Sequence, residues 1–214
     1  MRHAGAKVTH QTGMHIHIGM ESFEVKELMN LARLFYRQEE LVLMALGVPV
    51  GRLANFCKPI PESFIQAMDR KAPKTMADLN RLWYGEFQPQ IYRYHASRYC
   101  TVNFNALFLR KAMEFRVFNS SLHAGEVKAM IHFTLALAAR AKTVHSASSK
   151  RRPLGGSPKY QMRTFLLNLG LIGDEFKTAR QHLLKKLPGD IALKNGRPRQ
   201  EQTGPEMAQA GVAV

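Results

Sequence analysis

The 214-residue chain predicts an α+β fold, an antiparallel sheet with helices packed on one side and a helical C-terminal extension. Three observations lead there. Gly13-Met14-His15-Ile16-His17-Ile18-Gly19 and Met113-Glu114-Phe115-Arg116-Val117 alternate polar and apolar residues with the period of two that marks a strand. Longer stretches carry apolar stripes at helical spacing. The helices follow the strands in long blocks instead of alternating with them, which disfavours a doubly wound parallel sheet.

Taken in order, residues 1–12 read as irregular and the first strand covers about 13–19. Ser22 is the expected N-cap of a long helix over about 23–46, with Leu28, Met29, Ala32, Phe35 and Tyr36 near one stripe. Gly47-Val48-Pro49 ends it, and residues 50–60 read as a loop carrying Arg52, Asn55 and Cys57. Pro61 suits the first turn of a short helix to Arg70. Thr75 with Asp78 three residues on resembles a capping box, opening a helix to Tyr84. Residues 85–97 read as a loop. A strand over Tyr99–Phe104, a turn around Leu109–Lys111 and a strand over 112–118 form a hairpin with a long connection. Residues 124–145 carry a helical stripe of Val127, Met130, Ile131, Thr134, Leu137 and Ala138. Tyr160–Leu169 and Glu175–Leu187 predict two further helices, closed by Gly170 and by Pro188-Gly189. The count is three or four strands and six helices. The organisation expected is a catalytic core over 11–145, a basic linker over 146–157, a helical segment over 158–188 and a disordered tail over 189–214.

Composition narrows the class. Hydrophobic residues make up 45%, too many for a chain disordered throughout. The longest apolar run, Leu41 to Val50, is too short for a bilayer span, and the N-terminus lacks the apolar stretch of a signal peptide. Cys57 and Cys100 make no disulfide framework, so a reduced cytoplasm is the expected setting. The formal charge of +15 suggests an anionic partner, either nucleic acid, a nucleotide or an acidic substrate, or else reflects solvated helix faces and a basic tail.

The candidate chemistry sits on the two strands. Period two puts His15 and His17 on one face, about 7 Å apart, where they could share a metal or a polyphosphate. The same period puts Glu114 and Arg116 on one face, with Met113, Phe115 and Val117 on the other. If the strands share a sheet, one face carries two imidazoles, a carboxylate and a guanidinium, a set suited to polyphosphate and a divalent ion. Arg98, Asn103 and Arg52 are further candidates for phosphate or substrate contacts. Neither cysteine has a sequence neighbour that would lower its thiol pKa.

These stretches, in this order, resemble one family. Gly-Met-His-Ile-His-Ile-Gly, the long helix, Arg52 followed by Cys57, Arg98-Tyr99 with Asn103, and Glu114-Phe115-Arg116-Val117-Phe118-Asn119 are similar to the amidoligase family. That family is distantly similar to glutamine synthetase and glutamate–cysteine ligase. Leu169-Gly170-Leu171-Ile172-Gly173-Asp174-Glu175-Phe176-Lys177-Thr178-Ala179-Arg180 resembles the C-terminal part of a subgroup common in bacterial mobile elements, so the resemblance spans about residues 11 to 188. It implies a glutamine synthetase-like catalytic fold and an ATP-dependent carboxylate–amine ligase working through an acyl phosphate, with Mg2+ or Mn2+. By similarity, His15 and Glu114 would be metal ligands, His17 would contact the ATP phosphates, Arg116 would bind phosphate or the substrate carboxylate, and Arg98 would bind phosphate. Ligases of this kind begin with a strand bearing a Glu-x-Glu pair, whereas none of the twelve residues before Gly13 is acidic. The chain is therefore expected to be N-terminally truncated, as a gene fragment, the product of a late start codon or half of a split enzyme, and so an inactive or partial ligase by itself; a homo-oligomer is the alternative to a missing N-terminal part.

Two readings from other classes compete. One is a non-catalytic basic protein holding nucleic acid non-specifically through residues 140–199. The other is a zinc hydrolase using His15, His17 and a further imidazole such as His95 or His123. The acid and amine expected of a ligase are small molecules or peptides, and no membrane partner is expected.

Overall fold

The computed structural model describes residues 5–9 and 11–195. The described residues form an α+β fold of three strands and eight α-helices. The strands are β1 (Gly13–Gly19), β2 (Val102–Asn103) and β3 (Ala112–Asn119), in the order β1-β3-β2 with both pairings antiparallel. The helices are α1 (Val25–Leu46), α2 (Val50–Asn55), α3 (Glu62–Lys71), α4 (Met76–Tyr84), α5 (Phe104–Arg110), α6 (Ala124–Thr143), α7 (Pro158–Asn168) and α8 (Lys177–Leu184). A 3-10 turn spans Ala96–Arg98.

Each strand behaves according to its place in the sheet. β1 lies at an edge, and its glycines and histidines are exposed while Met14, Ile16 and Ile18 are half-buried. β3 is central, and Met113 to Phe118 are buried on both faces. The register contains one irregularity. Met14 pairs with Phe118 and Ile16 with Phe115, so two residues of β3, Arg116 and Val117, stand opposite His15. This β-bulge shifts the strand by one residue. Strict alternation would put Phe118 on the face of Glu114 and Arg116; after the bulge it is fully buried with Phe115 and Val117. Arg52 holds the bulge in place, its Nη2 donating to the carbonyls of Arg116 and Phe118, each at 3.1 Å.

The apolar face of the sheet packs on the helices, with Phe35 of α1 edge-on to Phe115 at 6.1 Å between ring centroids. The same core takes in Leu28 and Leu31 of α1, Phe133 and Leu137 of α6, Phe165 and Leu166 of α7, and Leu183 and Leu184 of α8. Residues 146–157 are irregular and lie against α1, where the Arg152 amide donates to the Arg37 carbonyl at 3.0 Å and Arg151 reaches Glu39 at 3.2 Å.

Several local expectations are corrected. The cap of α1 is Glu24, not Ser22, and the Glu27 carboxylate accepts from the Glu24 amide at 2.9 Å. Residues 50–55 form α2 instead of a loop, because Pro49 closes the preceding turn in extended geometry and its carbonyl accepts from the amides of Arg52 and Leu53. The strand expected over Tyr99–Phe104 shrinks to Val102–Asn103, and Phe104–Arg110 become α5. Their aromatic and aliphatic side chains suit a strand, yet the Asn103 side chain accepts from the Ala106 amide and opens a helix there. The last helix runs over Lys177–Leu184, shorter than the expected 175–187. The Thr75–Asp78 capping box forms as expected, with both reciprocal bonds at 3.1 Å. Of the tail expected to be disordered, 189–195 are described as turns and irregular chain, while 196–214 lie outside the described residues.

Candidate active site

Glu114 is the centre of the polar face because it stands on the middle strand. His17 of β1 is opposite it on one side and Asn103 of β2 on the other. Its Oε1 accepts from Arg116 Nη1 at 2.8 Å and lies 2.9 Å from His15 Nδ1 and 3.6 Å from His17 Nε2. Its Oε2 accepts from the Asn103 side-chain amide at 2.5 Å. The oxygen of that amide caps α5, so one asparagine both orients the carboxylate and starts the helix. His15 Nδ1 is also 3.4 Å from Arg116 Nη1, but a nitrogen donating its proton to Glu114 cannot accept another, so the shorter contact is the bond.

The electrostatics follow from this crowding by donors. Burial pushes the Glu114 carboxyl upward, and the hydrogen bonds from His15 and Asn103 with the Arg116 charge outweigh it, leaving the pKa at about 2. His17 is pulled below the ordinary imidazole value, chiefly by burial and against the attraction of Glu114. Burial thus favours the neutral ring.

The side chains above this face are cationic. A cleft of about 160 Å³ is lined by Arg93, Arg98, Arg110, His17, Asn103 and Glu114 among others. Arg98 lies between the rings of Tyr94 and Tyr99, 5.4 and 5.5 Å from their centroids, and Arg93 also packs on Tyr94 at 5.4 Å. Such stacking holds a guanidinium in place while leaving its edge free to donate. Three arginines and one carboxylate thus line the same cleft, an arrangement for an anionic ligand.

The expected residues therefore separate by depth. His15, His17, Glu114 and Arg116 share one face. Arg116 is 4% exposed and lies beneath the cleft, its Nε donating to the Phe56 carbonyl at 3.3 Å. Arg52, considered for phosphate contact, is 3% exposed and engaged with the bulge. The opening glycine of the His motif explains itself here, because a Cβ at Gly13 would overlap the Arg52 guanidinium. Arg93, Arg110 and Asn105 reach the cleft without having been singled out along the chain. The Tyr92-Arg93-Tyr94 run was a weak signal for the first, and Arg110 had none. Burial pushes the thiol of Cys100 up to about 12 and that of Cys57 upward, so neither is a ready nucleophile.

The donors do not fit a divalent ion as a resident group. Among the described residues no three His, Cys, Asp or Glu side chains are placed to hold one. Both oxygens of Glu114 already accept from N–H groups, and a guanidinium is in contact with one of them. Magnesium and manganese prefer an oxygen-rich shell that this face lacks. His95 bonds Ser97, and His123 caps α6 beside His182, so neither completes a zinc site with His15 and His17.

No helix among the described residues is long and apolar enough to cross a membrane. No curated protein and no solved structure matches the chain. The family model described as "Putative amidoligase enzyme" matches residues 1–138, which takes in the three strands and their shared polar face but not the segment 169–180. The chain belongs to the amidoligase family, a family of ligase-type enzymes.

Proposed function

We propose that the cationic cleft binds the phosphates of ATP and that the chain serves ATP-dependent joining of a carboxylate to an amine. The observation that carries this reading is the convergence of Arg93, Arg98, Arg110 and His17 around a cleft that holds a single carboxylate. A carboxylate is inert toward amines at neutral pH. Attack of its oxygen on the terminal phosphorus breaks the bond to the bridging oxygen and leaves ADP and an acyl phosphate. The free amine then attacks the acyl carbon, the bond to phosphate breaks, and one proton leaves the nitrogen. The guanidinium groups offset negative charge as it spreads over the phosphoryl oxygens. Neutral His17 can accept a hydrogen bond or the amine proton. Glu114 and Arg116, locked together beneath, hold His15 and the floor in register. No step is assigned to Mg2+ or Mn2+, since the donors do not fit them.

Calorimetric titration of ATP into the full chain, with and without EDTA, tests this. Binding should persist in EDTA. Arg98→Ala and Arg110→Ala should each weaken it at least ~10-fold, about 1.4 kcal/mol. Absence of binding, or equal affinity in the double variant, would overturn the reading. The net charge of +15 favours a second reading, loose nucleic-acid binding through 140–199. Salt-sensitive DNA binding untouched by both substitutions, with no ATP binding, is the outcome that would replace the first with it.

A further inference from the structure

Helix α5 has a second cavity on its other side. Asn103, Ala106 and Arg110 line the cationic cleft, whereas Leu107, Phe108 and Lys111 line a separate chamber of about 540 Å³. That volume is in the range of small-molecule sites, roughly 300–1,000 Å³. Its floor is the buried Met20, Leu28 and Leu107, and Phe87 and Phe108 supply aromatic wall. Asn80 also lines it, but both ends of its amide are bonded to the backbone of Gln88. Among the described residues, the charged side chains that line the chamber are Glu21 and Lys111.

The two residues sit at neighbouring backbone positions. The Met20 amide donates to the Lys111 carbonyl at 2.7 Å, continuing the pairing of Gly19 with Ala112 by one step. Lys111 adopts a left-handed conformation, φ 54°, where glycine is the usual residue. The Glu21 carboxylate folds back over Gly19, 2.8 Å from where a Cβ would stand. Glu21 and Lys111 therefore line the chamber from neighbouring backbone positions, and the rest of its lining is mainly apolar. Arg110 of the cationic cleft is the adjacent residue, about 3.8 Å away between Cα atoms.

We infer that this chamber binds the amine substrate and that this substrate is an amino acid with a large apolar side chain. The side chain enters the chamber, the α-ammonium pairs with Glu21 and the α-carboxylate with Lys111. The inference rests on the ligase reading, because a site for the amine has to adjoin the site where the acid is activated. The Arg110–Lys111 corner provides that adjacency.

The test is calorimetric titration of the full chain with L-phenylalanine, L-lysine, phenylalaninamide and N-acetyl-L-phenylalanine. Phenylalanine should bind and lysine should bind at least ~10-fold more weakly, since a charged chain cannot enter an apolar chamber. The amide lacks the carboxylate and the acetylated form lacks the ammonium, and each should lose ~10-fold or more. Lys111→Gly, which suits the left-handed backbone, and Glu21→Gln should each lower phenylalanine affinity by a similar factor. Ala77→Trp, filling the chamber, should abolish binding. No phenylalanine binding, equal binding of lysine, or unchanged affinity in both charge variants would overturn the inference. ATP bound without phenylalanine would overturn it alone. Phenylalanine bound without ATP would support it and overturn the nucleotide reading instead.

Discussion

Glu114 does more than any other residue to organise the site, and its chemistry is set by what donates to it. Its folded pKa of about 2 lies below the ordinary 4.5. A depressed carboxylate contributes stability that is present above its unfolded pKa and lost as pH falls through the folded one. The contribution should therefore fade between about pH 4.5 and about pH 2. Glu126, held at about 2 by Lys185 and Ser121, fades over the same range, so wild type alone does not isolate Glu114. Urea unfolding of wild type and Glu114→Gln across pH 2–6 should show their stability difference shrinking toward acid. A difference independent of pH would mean that Glu114 is not the depressed group. Glu39 moves the other way. Burial raises its pKa against bonds from Thr101 and Ile60, so its charged form works against folding as pH rises through that raised value.

At the scale of elements, the bulge in β3 decides which side chains face the cleft. The carbonyls of Arg116 and Phe118 are paired with Arg52, which is itself buried against Gly13. Arg52→Ala should leave both carbonyls without that donor. At roughly 1–3 kcal/mol for each buried polar group left unpaired, the unfolding free energy measured by denaturant titration should fall by about 3 kcal/mol. Gly13→Ala should destabilise in the same direction, because the new methyl group displaces the guanidinium. If Arg52→Ala unfolds at the wild-type midpoint, the bulge does not depend on that clamp. The helix after β2 matters equally. By starting at Asn103, α5 sends Arg110 back over the sheet to the cleft and leaves Lys111 at the corner of the apolar chamber.

At the scale of the whole molecule, α7 and α8 lie outside the span of the family match yet share the core of the sheet and α1. Leu166 is fully buried there, and Leu166→Ala should cost about 3 kcal/mol, in the ordinary range of such truncations. Trp83, the single tryptophan, lies on α4, inside the matched span and distant in sequence from α7 and α8, packed on Phe64 and Phe104. Its fluorescence should report the same shift in midpoint as far-UV circular dichroism, since one core unfolds as one unit. A Trp83 transition untouched by Leu166→Ala would divide the chain into two independently folding parts. The charge of +15 is also a property of the whole, but single residues show where it is spoken for. Arg151 pairs with Glu39 and packs over Tyr36 at 3.9 Å, while Lys142 bonds the Ser22 carbonyl at 3.0 Å.

What the chain discloses without its fold is what depends on neighbours in sequence. The His strand, the Glu114 strand, α1, α4 and α6 are legible because period, caps and glycine stops are local properties. The shared face of His15, His17, Glu114 and Arg116 follows from period two once two strands pair. Only the tertiary structure decides the rest. The bulge that sends Phe118 inward, the burial of Arg52, and the approach of Arg93 and Arg110 to one cleft all depend on strand register and on where distant loops close. A guanidinium in the sequence carries no mark of whether it will face solvent, a ligand or two backbone carbonyls. The packing around it makes that choice, by leaving or removing the water that would otherwise solvate it.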